Sequence, residues 1–322
     1  MKQKVLIVGA GNRVKNTILP ALKCLSPFFE VVGLCHRTGK KISDFNCQRV
    51  DTVIVAVTLT EVPEVLKQLG KFPNCNFRLF LDTPVLAYYH FPFLKLINRF
   101  PNVTVSEESF YLPPVKLVKQ LVSKGEIGQI QQVNFLNFSY RNHPLAIARH
   151  FLNTSLVTKI VVTKSETNGP RLNFHFLGGV LATIAEPQDF YQGAFIVKGN
   201  KGTIIVGDLD LPATIKIGYK ISKGIYRGLT VNKKAVLLNN FDNLYFRKID
   251  KCVFDKNLIK SLKIRGFMDL LIEGKTYFPL EGFYDQIATE TAIRLGSFWD
   301  RPFGNSSLWR KTIEYSPNFF PA

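Results

Sequence analysis

The first residues of the chain run from an apolar strand through a glycine turn into a helix. Residues 5–22 read VLIVGAGNRVKNTILPAL, where Gly9 permits a tight turn and Gly11 lets the backbone approach a diphosphate. The positive end of the following helix would face that group. Val14 stands where the G-x-G-x-x-G pattern has its third small residue, so the fingerprint is incomplete. The turn is compatible with an ordinary strand–turn–helix, but its place after an N-terminal buried strand favours a dinucleotide site.

Short apolar strands alternate with helical segments through the first third of the chain. The predicted strands are Lys4–Val8, Val31–Cys35, Thr52–Val57, Arg78–Leu81 and Val103–Val105, and the predicted helices are Asn16–Cys24, Pro63–Leu69, Pro92–Phe100 and Pro114–Lys124. Such alternation predicts an α/β fold with a doubly wound parallel sheet. The ligand crevice of that fold lies at the carboxyl ends of the strands. The residues that directly follow each strand are therefore the candidates for function.

The pattern changes to strands with period-two alternation from Ile130 onwards. The predicted strands are Gln131–Ser139, Leu156–Thr163, Val180–Glu186, Ala194–Lys198, Thr203–Val206, Thr214–Tyr219 and Ala235–Leu238. Residues 199–202, GNKG, predict a hairpin turn, and a late helix is predicted near Tyr284–Phe298. These features predict a C-terminal α+β domain with a large, mostly antiparallel open sheet. The predicted domains are 1–122 and 123–322.

The composition limits the classes of protein to which the chain can belong. Its 322 residues suffice for two cores, and the sequence contains no apolar run as long as a membrane span or a secretory leader. We therefore predict a cytoplasmic protein. The 5 cysteines are scattered without a C-x-x-C pair, which predicts reduced thiols and no metal site. The formal net charge of +18 would attract anions, but the basic residues form no run or nucleic-acid motif, so we predict no nucleic-acid partner.

Several segments together resemble the Gfo/Idh/MocA family of oxidoreductases. They lie in the family's order and with its spacing: residues 5–22, 51–69, 81–85, 125–130, 197–206 and 267–303. The resemblance implies an NAD(P)-binding Rossmann domain over 1–122 and a substrate and oligomerisation domain over 123–322. It also implies a homo-dimer or homo-tetramer, and hydride transfer between a nicotinamide and a small-molecule substrate.

The chain departs from the family at the residues that carry proton transfer. The family's Glu-Lys-Pro motif is replaced by Asp82, Thr83 and Pro84, and a threonine hydroxyl is too weak an acid to replace lysine in proton transfer. Thr83 can still donate a hydrogen bond to a carbonyl. His143 matches the family histidine by its position before a helix, but Ser139 stands where the family has an aspartate. His143 is therefore a candidate catalytic residue, with helix capping as the alternative.

Two further positions are candidates for orienting or protonating a substrate. Tyr140 closes a predicted strand next to Arg141, where the pair could bind an anionic group or simply face solvent. Glu107 and Glu108 follow the fifth predicted strand at the edge of the crevice. A buried carboxylate at that place, Glu108 in particular, could act as an acid, whereas a solvated pair is the alternative.

The second predicted strand ends without the carboxylate that would bind the ribose of NAD. His36, Arg37 and Thr38 stand there, and cations at this place suit a 2′-phosphate, so NADP(H) is expected in preference to NAD(H). A basic surface loop is the alternative. The resemblance assigns the remaining cofactor contacts to Gly9, Gly11, Asn12, Arg13, Thr58, Asp82 and Pro84.

Two functional hypotheses follow from this pattern. The missing lysine and the acidic pair are similar to features of biliverdin reductases, and thiazolinyl imine reductases also lack that lysine. These likenesses predict an NADPH-dependent reductase in specialised metabolism, whose substrate is an unsaturated or imine-containing small molecule, either neutral or anionic. The alternative is a non-catalytic relative that binds a nucleotide or a protein partner, which Val14 and Thr83 support.

Overall fold

The computed structural model describes most of the chain in two compact units. The described residues are 1–45, 49–72, 76–83, 85, 93–137, 142–153, 157–165, 171–185, 193–237, 241–253, 256–274 and 308–314. One unit comprises 1–112, 239–256 and 260–286, and the other comprises 113–238, 257–259 and 287–322. The prediction of domains at 1–122 and 123–322 stays a prediction. The first unit differs from the predicted N-terminal domain because it also includes two later segments, 239–256 and 260–286.

A five-stranded parallel sheet forms the centre of the first unit. Its order is β2-β1-β3-β4-β5, from the strands β1 (Gln3–Val8), β2 (Phe29–Cys35), β3 (Thr52–Val55), β4 (Arg78–Asp82) and β5 (Val103–Ser106). The central residues of β1, β3 and β4 are fully buried, as expected for a sheet covered on both faces. The predicted doubly wound parallel sheet is confirmed.

Seven α-helices lie in the described parts of the chain. They are α1 (Leu19–Cys24), α2 (Val62–Leu69), α3 (Leu94–Ile97), α4 (Pro113–Ser123), α5 (Asn142–Leu152), α6 (Phe241–Lys248) and α7 (Leu258–Glu273). None of the helices in the described ranges is long and apolar enough to cross a membrane. The predicted helix near 284–298 falls outside the described residues.

A π-helical turn, Val14–Ile18, leads into α1. The Leu19 amide donates to the Val14 carbonyl, five residues earlier rather than four. Pro20 has no amide hydrogen, and in a regular α-helix its ring would clash with the carbonyl of Asn16. The wider turn relieves this clash. The side chain of Val14 is fully buried.

The second unit contains a sheet in which ten described strands take part. The order is β14-β13-β12-β11-β10-β6-β9-β8-β7-β15. The strands are β6 (Ile130–Asn137), β7 (Val157–Ser165), β8 (Arg171–Phe176), β9 (Leu181–Ala185), β10 (Ala194–Gly199), β11 (Thr203–Val206), β12 (Ile215–Ser222), β13 (Ile225–Val231), β14 (Lys234–Val236) and β15 (Leu308–Glu314). Among these described strands only the β11–β12 and β6–β9 pairs are parallel. The predicted α+β architecture with a mostly antiparallel sheet is confirmed.

A buried ion cluster connects α6 to α7 within the first unit. The Nε atom of Arg265 donates to Asp242 Oδ1 over 2.9 Å, and Nη1 donates to Asp269. All three side chains are almost completely shielded from water. Because buried charges are costly when unpaired, this cluster fixes how the two helices pack against each other.

Candidate functional site

The glycine turn lies at the topological switch point of the parallel sheet. In the order β2-β1-β3-β4-β5 the switch falls between β1 and β3, where doubly wound proteins bind ligands. Gly9 directly follows β1 with a φ of +124°, and a Cβ atom there would lie 2.0 Å from the Ala56 carbonyl oxygen, just beyond β3. Only glycine fits this position.

Gly11 is different, because it faces open space. No described atom lies within 4 Å of the point where its Cβ would stand, and its φ is not in the left-handed region. The backbone is therefore accessible to a ligand at Gly11. Asn12, the next residue, is also exposed and is the first residue of the helical stretch that continues into the π-helical turn. A cradle followed by a helix start is the arrangement that fits a diphosphate group.

Arg13 connects the glycine turn to the ends of two strands. Its Nη1 and Nη2 atoms donate to Glu108 Oε1 and Oε2 over 2.7 and 2.5 Å. Its Nε atom lies 3.1 Å from both carboxylate oxygens of Asp82, the last residue of β4. The Arg13 guanidinium also lies 5.4 Å from the centre of the Phe267 ring. We call Arg13, Asp82 and Glu108 the arginine cluster.

In the arginine cluster one guanidinium faces two carboxylates in a place that is largely shielded from water. Burial lowers the pKa of the Arg13 guanidinium, but Asp82 and Glu108 outweigh burial and raise that pKa above its usual value. The Glu108 side chain is only 3% exposed, and that of Asp82 is 13% exposed. A bidentate guanidinium contact stabilises the ionised form of a carboxylate. The geometry therefore favours Glu108 as a charged partner that positions Arg13.

The chain after β5 holds Glu108 in place from two sides. Glu107 and Glu108 are both buried, so they are not a solvated pair. The Ser109 hydroxyl donates to Glu107 Oε1 over 2.5 Å in a short 3-10 helical turn, Glu108–Tyr111. On the other side a Cβ atom at Gly266 of α7 would lie 2.9 Å from the Glu108 carbonyl oxygen. The close approach of α7 therefore needs glycine at 266.

The loops that follow β2 and β3 meet at a second group of polar residues. Arg37 is 89% exposed, and its Nε atom lies 3.9 Å from Glu61 Oε1. The Thr58 amide and hydroxyl both donate to Glu61 Oε2, over 3.3 and 2.8 Å. The Thr38 hydroxyl lies 3.4 Å from His36 Nδ1 within a tight turn. The four predicted cofactor contacts His36, Arg37, Thr38 and Thr58 thus lie at the same edge of the sheet as Gly9.

Of the four remaining predicted site residues, the structure describes two. Thr83 directly follows Asp82 and is half-buried. His143 is half-buried in α5 of the second unit, and its catalytic role stays a prediction. Pro84 and Tyr140 fall outside the described residues.

Two residues of the site have a role that the sequence analysis missed. Glu61 organises the loop after β3, and the pattern Thr-x-x-Glu at 58–61 is a known signature of a helix start that could have revealed it. Phe267 stacks near Arg13 from a helix 254 positions further along the chain, which no local pattern could have revealed. The sequence did single out Arg13, Asp82 and Glu108, but not their mutual contacts.

Neither the family models nor the curated protein sequences give a match to the chain. Solved structures match it over nearly its whole length. A myo-inositol 2-dehydrogenase from Lactobacillus plantarum is 13% identical with a TM-score of 0.64, covering 98% of this chain and 100% of that one. An oxidoreductase from Thermotoga maritima is 17% identical with a TM-score of 0.59, covering 91% and 96%.

A third matching structure is an oxidoreductase from Agrobacterium radiobacter, solved in complex with NAD+, L-tartaric acid and magnesium. It is 13% identical with a TM-score of 0.63, and the match covers 98% of both chains. At such identities the likeness shows the fold. The chain has the two-domain fold of oxidoreductases of the Gfo/Idh/MocA type, as the resemblance predicted.

Proposed function

We propose that the chain is an NAD(P)H-dependent oxidoreductase. The observation that carries the proposal is the turn at the switch point, where Gly9 is pressed against Ala56 while Gly11 faces open space. A turn of this kind gives a diphosphate room and backbone amides together. The fold shared with oxidoreductases over nearly the whole chain, one of them in complex with NAD+, supports the same class.

The residues at this edge of the sheet fit the parts of a dinucleotide. The backbone of Gly11 and Asn12 would hold the diphosphate, with Arg13 held beside it by Asp82 and Glu108. A bound nicotinamide cofactor supplies hydride chemistry that side chains cannot provide. Thr58, with Pro84 as the resemblance implies, would line the remaining length of the cofactor.

We further propose NADPH as the preferred cofactor. Arg37 keeps most of its guanidinium surface in water, and its contact with Glu61 is long, so the side chain is available for a phosphate. The last residue before this turn is Cys35, and no carboxylate follows it until after the turn. An arginine at this place can bind a 2′-phosphate with two parallel hydrogen bonds.

We propose that the substrate is an unsaturated or imine-containing small molecule, either neutral or anionic. Such substrates suit a site whose Thr83 stands in place of the family lysine, because Thr83 orients a polar atom without supplying a proton. His143 and Tyr140 are the proposed proton donors. Glu108, predicted as an acid, is proposed here to act mainly through Arg13, since both of its oxygens accept from that guanidinium. Assembly into a homo-dimer or homo-tetramer through the open sheet is part of the same proposal.

The binding test uses the fluorescence of NADPH titrated with the full chain. Wild-type protein should bind NADPH saturably. Gly11→Asp should lower the affinity at least tenfold, because it places a carboxylate where the diphosphate would lie, while its side chain meets no described neighbour in the folded protein. Gln3→Glu adds the same charge at the opposite end of β1 and should leave binding unchanged. Absence of wild-type binding, or equal binding by the Gly11→Asp variant, would contradict the proposal.

The cofactor preference and the reaction class need separate measurements. Arg37→Ala should weaken NADPH binding about 10- to 100-fold, the loss expected for a charge-assisted hydrogen bond, and should leave NADH binding unchanged. An equal loss for both cofactors would contradict the preference for NADPH. NADPH binding without oxidation by any of a panel of imines, enones and linear tetrapyrroles would favour the alternative of a non-catalytic nucleotide-binding protein.

A further inference from the structure

Two cysteines that are 228 residues apart in the sequence touch each other in the first unit. The Sγ atoms of Cys24 and Cys252 are 3.7 Å apart. Cys24 is the last residue of α1, and Cys252 directly follows a short 3-10 helical turn, Ile249–Lys251, after α6. A disulfide bond has a length of about 2.05 Å, so the two sulfurs need to approach by less than 2 Å. Small side-chain rotations of both residues supply movements of this size.

Two lysine hydrogen bonds, one from each of the two segments that carry the cysteines, hold these segments together. Lys23 Nζ donates to the Lys251 carbonyl oxygen over 3.2 Å, and Lys248 Nζ donates to the Ser26 hydroxyl over 2.8 Å. These contacts keep the end of α1 against the chain that follows α6. They also place two ammonium groups beside the sulfurs. The pair is therefore both fixed in space and located in a positive field.

The two thiols differ in acidity, which gives them different roles. A hydrogen bond from Cys24 lowers the pKa of Cys252 to about 7, Lys23 and Lys248 act in the same direction, and burial opposes them. The hydrogen bond to Cys252 and burial raise the pKa of Cys24. Near neutral pH a substantial fraction of Cys252 is ionised, so Cys252 is the more acidic thiol and the nucleophile of the pair.

We propose that Cys24 and Cys252 form a reversible disulfide, which makes this contact a site of thiol oxidation. With hydrogen peroxide as the oxidant, the Cys252 thiolate attacks one peroxide oxygen and the O–O bond breaks. This step gives a sulfenic acid and releases hydroxide. The Cys24 sulfur then attacks the Cys252 sulfur, the S–O bond breaks, and the Cys24 proton leaves with the hydroxyl as water. The two sulfurs together lose two electrons, which the peroxide gains, and a small dithiol reverses the bond by exchange.

The oxidised form would have a covalent link between two distant parts of the first unit. α1 continues the helical segment that begins at the glycine turn, and Cys252 belongs to the segment that returns to this unit late in the sequence. Burial does not close the pair off completely, since Cys24 is fully covered and Cys252 keeps 3% of its surface. Of the two residues, Cys252 is therefore the one with surface open to a small oxidant.

The test maps the bond by peptide analysis of the full chain. Cys35→Ala protein is treated with hydrogen peroxide, its remaining thiols are blocked, and it is digested with trypsin without reduction. Residues 24–37 and 252–256 are the expected tryptic peptides, and the substitution leaves Cys24 as the only cysteine of the first. The two should be recovered joined, about 2 Da lighter than their sum, and dithiothreitol should separate them. If this variant does not fold, the wild-type protein is analysed instead. Fragmentation of its joined peptides at bonds between Cys24 and Cys35 then shows which of these two cysteines is bonded to Cys252.

A second variant tests the two roles. Cys24→Ala protein cannot complete the bond, so its Cys252 should stop at the sulfenic acid and react with dimedone, whereas Cys35→Ala protein should not accumulate the adduct. Recovery of Cys24 and Cys252 as separately blocked thiols after peroxide treatment would overturn the proposal. Detection of sulfinic acid at Cys252 with Cys24 still reduced would also overturn it, because disulfide formation would then be slower than further oxidation of the sulfenic acid.

Discussion

Replacement of Arg13 by methionine gives the sharpest test of how the strand ends are held together. The change keeps a long apolar side chain next to Phe267 but removes the positive charge between Asp82 and Glu108. Glu108 would then be a buried carboxylate without its guanidinium partner. We expect a large loss of stability, because the cost of an unpaired buried charge exceeds the value of the pair itself.

The size of this loss follows from the exposure of the three side chains. Removal of one partner of a fully buried pair costs about 3–5 kcal/mol. Arg13 is 23% exposed and Asp82 13%, so water can partly solvate the site, whereas Glu108 is only 3% exposed. The lower end of that range, about 3 kcal/mol, is therefore expected. For a cooperative unit of about 150 residues this corresponds to a fall in Tm of roughly 6–12 °C.

The assay is urea denaturation at neutral pH, carried out as a double-mutant cycle. Glu108→Gln removes the other charge, and the double variant Arg13→Met/Glu108→Gln should lose about 1–3 kcal/mol less than the sum of the single losses. Arg37→Met is the matched control, because Arg37 is 89% exposed with a partner 3.9 Å away, and its loss should stay below about 0.5 kcal/mol. An Arg13→Met loss as small as that of the control, or additivity within about 0.5 kcal/mol, would refute the reasoning.

Three further variants of the protein have expected outcomes. Gly9→Ala should cost at least about 2 kcal/mol in urea denaturation, because its Cβ would overlap a carbonyl at 2.0 Å and its φ is +124°, whereas Gly11→Ala should stay within about 0.5 kcal/mol. Arg265→Met should cost about 3–5 kcal/mol, since it removes the guanidinium partner of two buried aspartates, and a loss below about 1 kcal/mol would contradict this reasoning. Cys24→Ala should raise the pKa of Cys252 from about 7 towards the usual thiol value. The pKa is measured from the thiolate absorbance near 240 nm as a function of pH, in proteins that lack the other cysteines. An unchanged titration midpoint would contradict the hydrogen bond from Cys24 to Cys252. The pKa of Cys252 is lower in the folded protein than in the unfolded chain. Ionisation of Cys252 therefore stabilises the fold, fully above the usual thiol pKa, and this contribution is lost as pH falls through about 7.

Local patterns in the sequence were sufficient for the parallel sheet and for its glycine turn. The apolar runs that predict the strands of the first unit match the observed strands within a few residues, because both faces of a parallel sheet are buried. Gly9 was identified because a tight turn and a close backbone approach both demand glycine. These features are set by neighbours in the chain.

Contacts between distant residues account for what the sequence did not predict. The partners of Arg13 lie 69 and 95 residues further along the chain, so each member was assigned a role of its own. The sequence patterns assigned no role to Arg265, but its contacts with two aspartates make it an interior residue. Strand β13 was missed because its alternation is broken where the register shifts opposite Lys220–Ile221.

The division of the first unit among an N-terminal stretch and two stretches after residue 238 has a consequence for synthesis of the protein. Residues 113–238 leave the ribosome after the parallel sheet and before α6 and α7. Until then the nascent sheet lacks Phe267 beside Arg13 and the partner sulfur of Cys24. A ribosome paused near residue 238 would thus carry an N-terminal half with an uncovered apolar surface, which protease sensitivity of stalled chains could reveal.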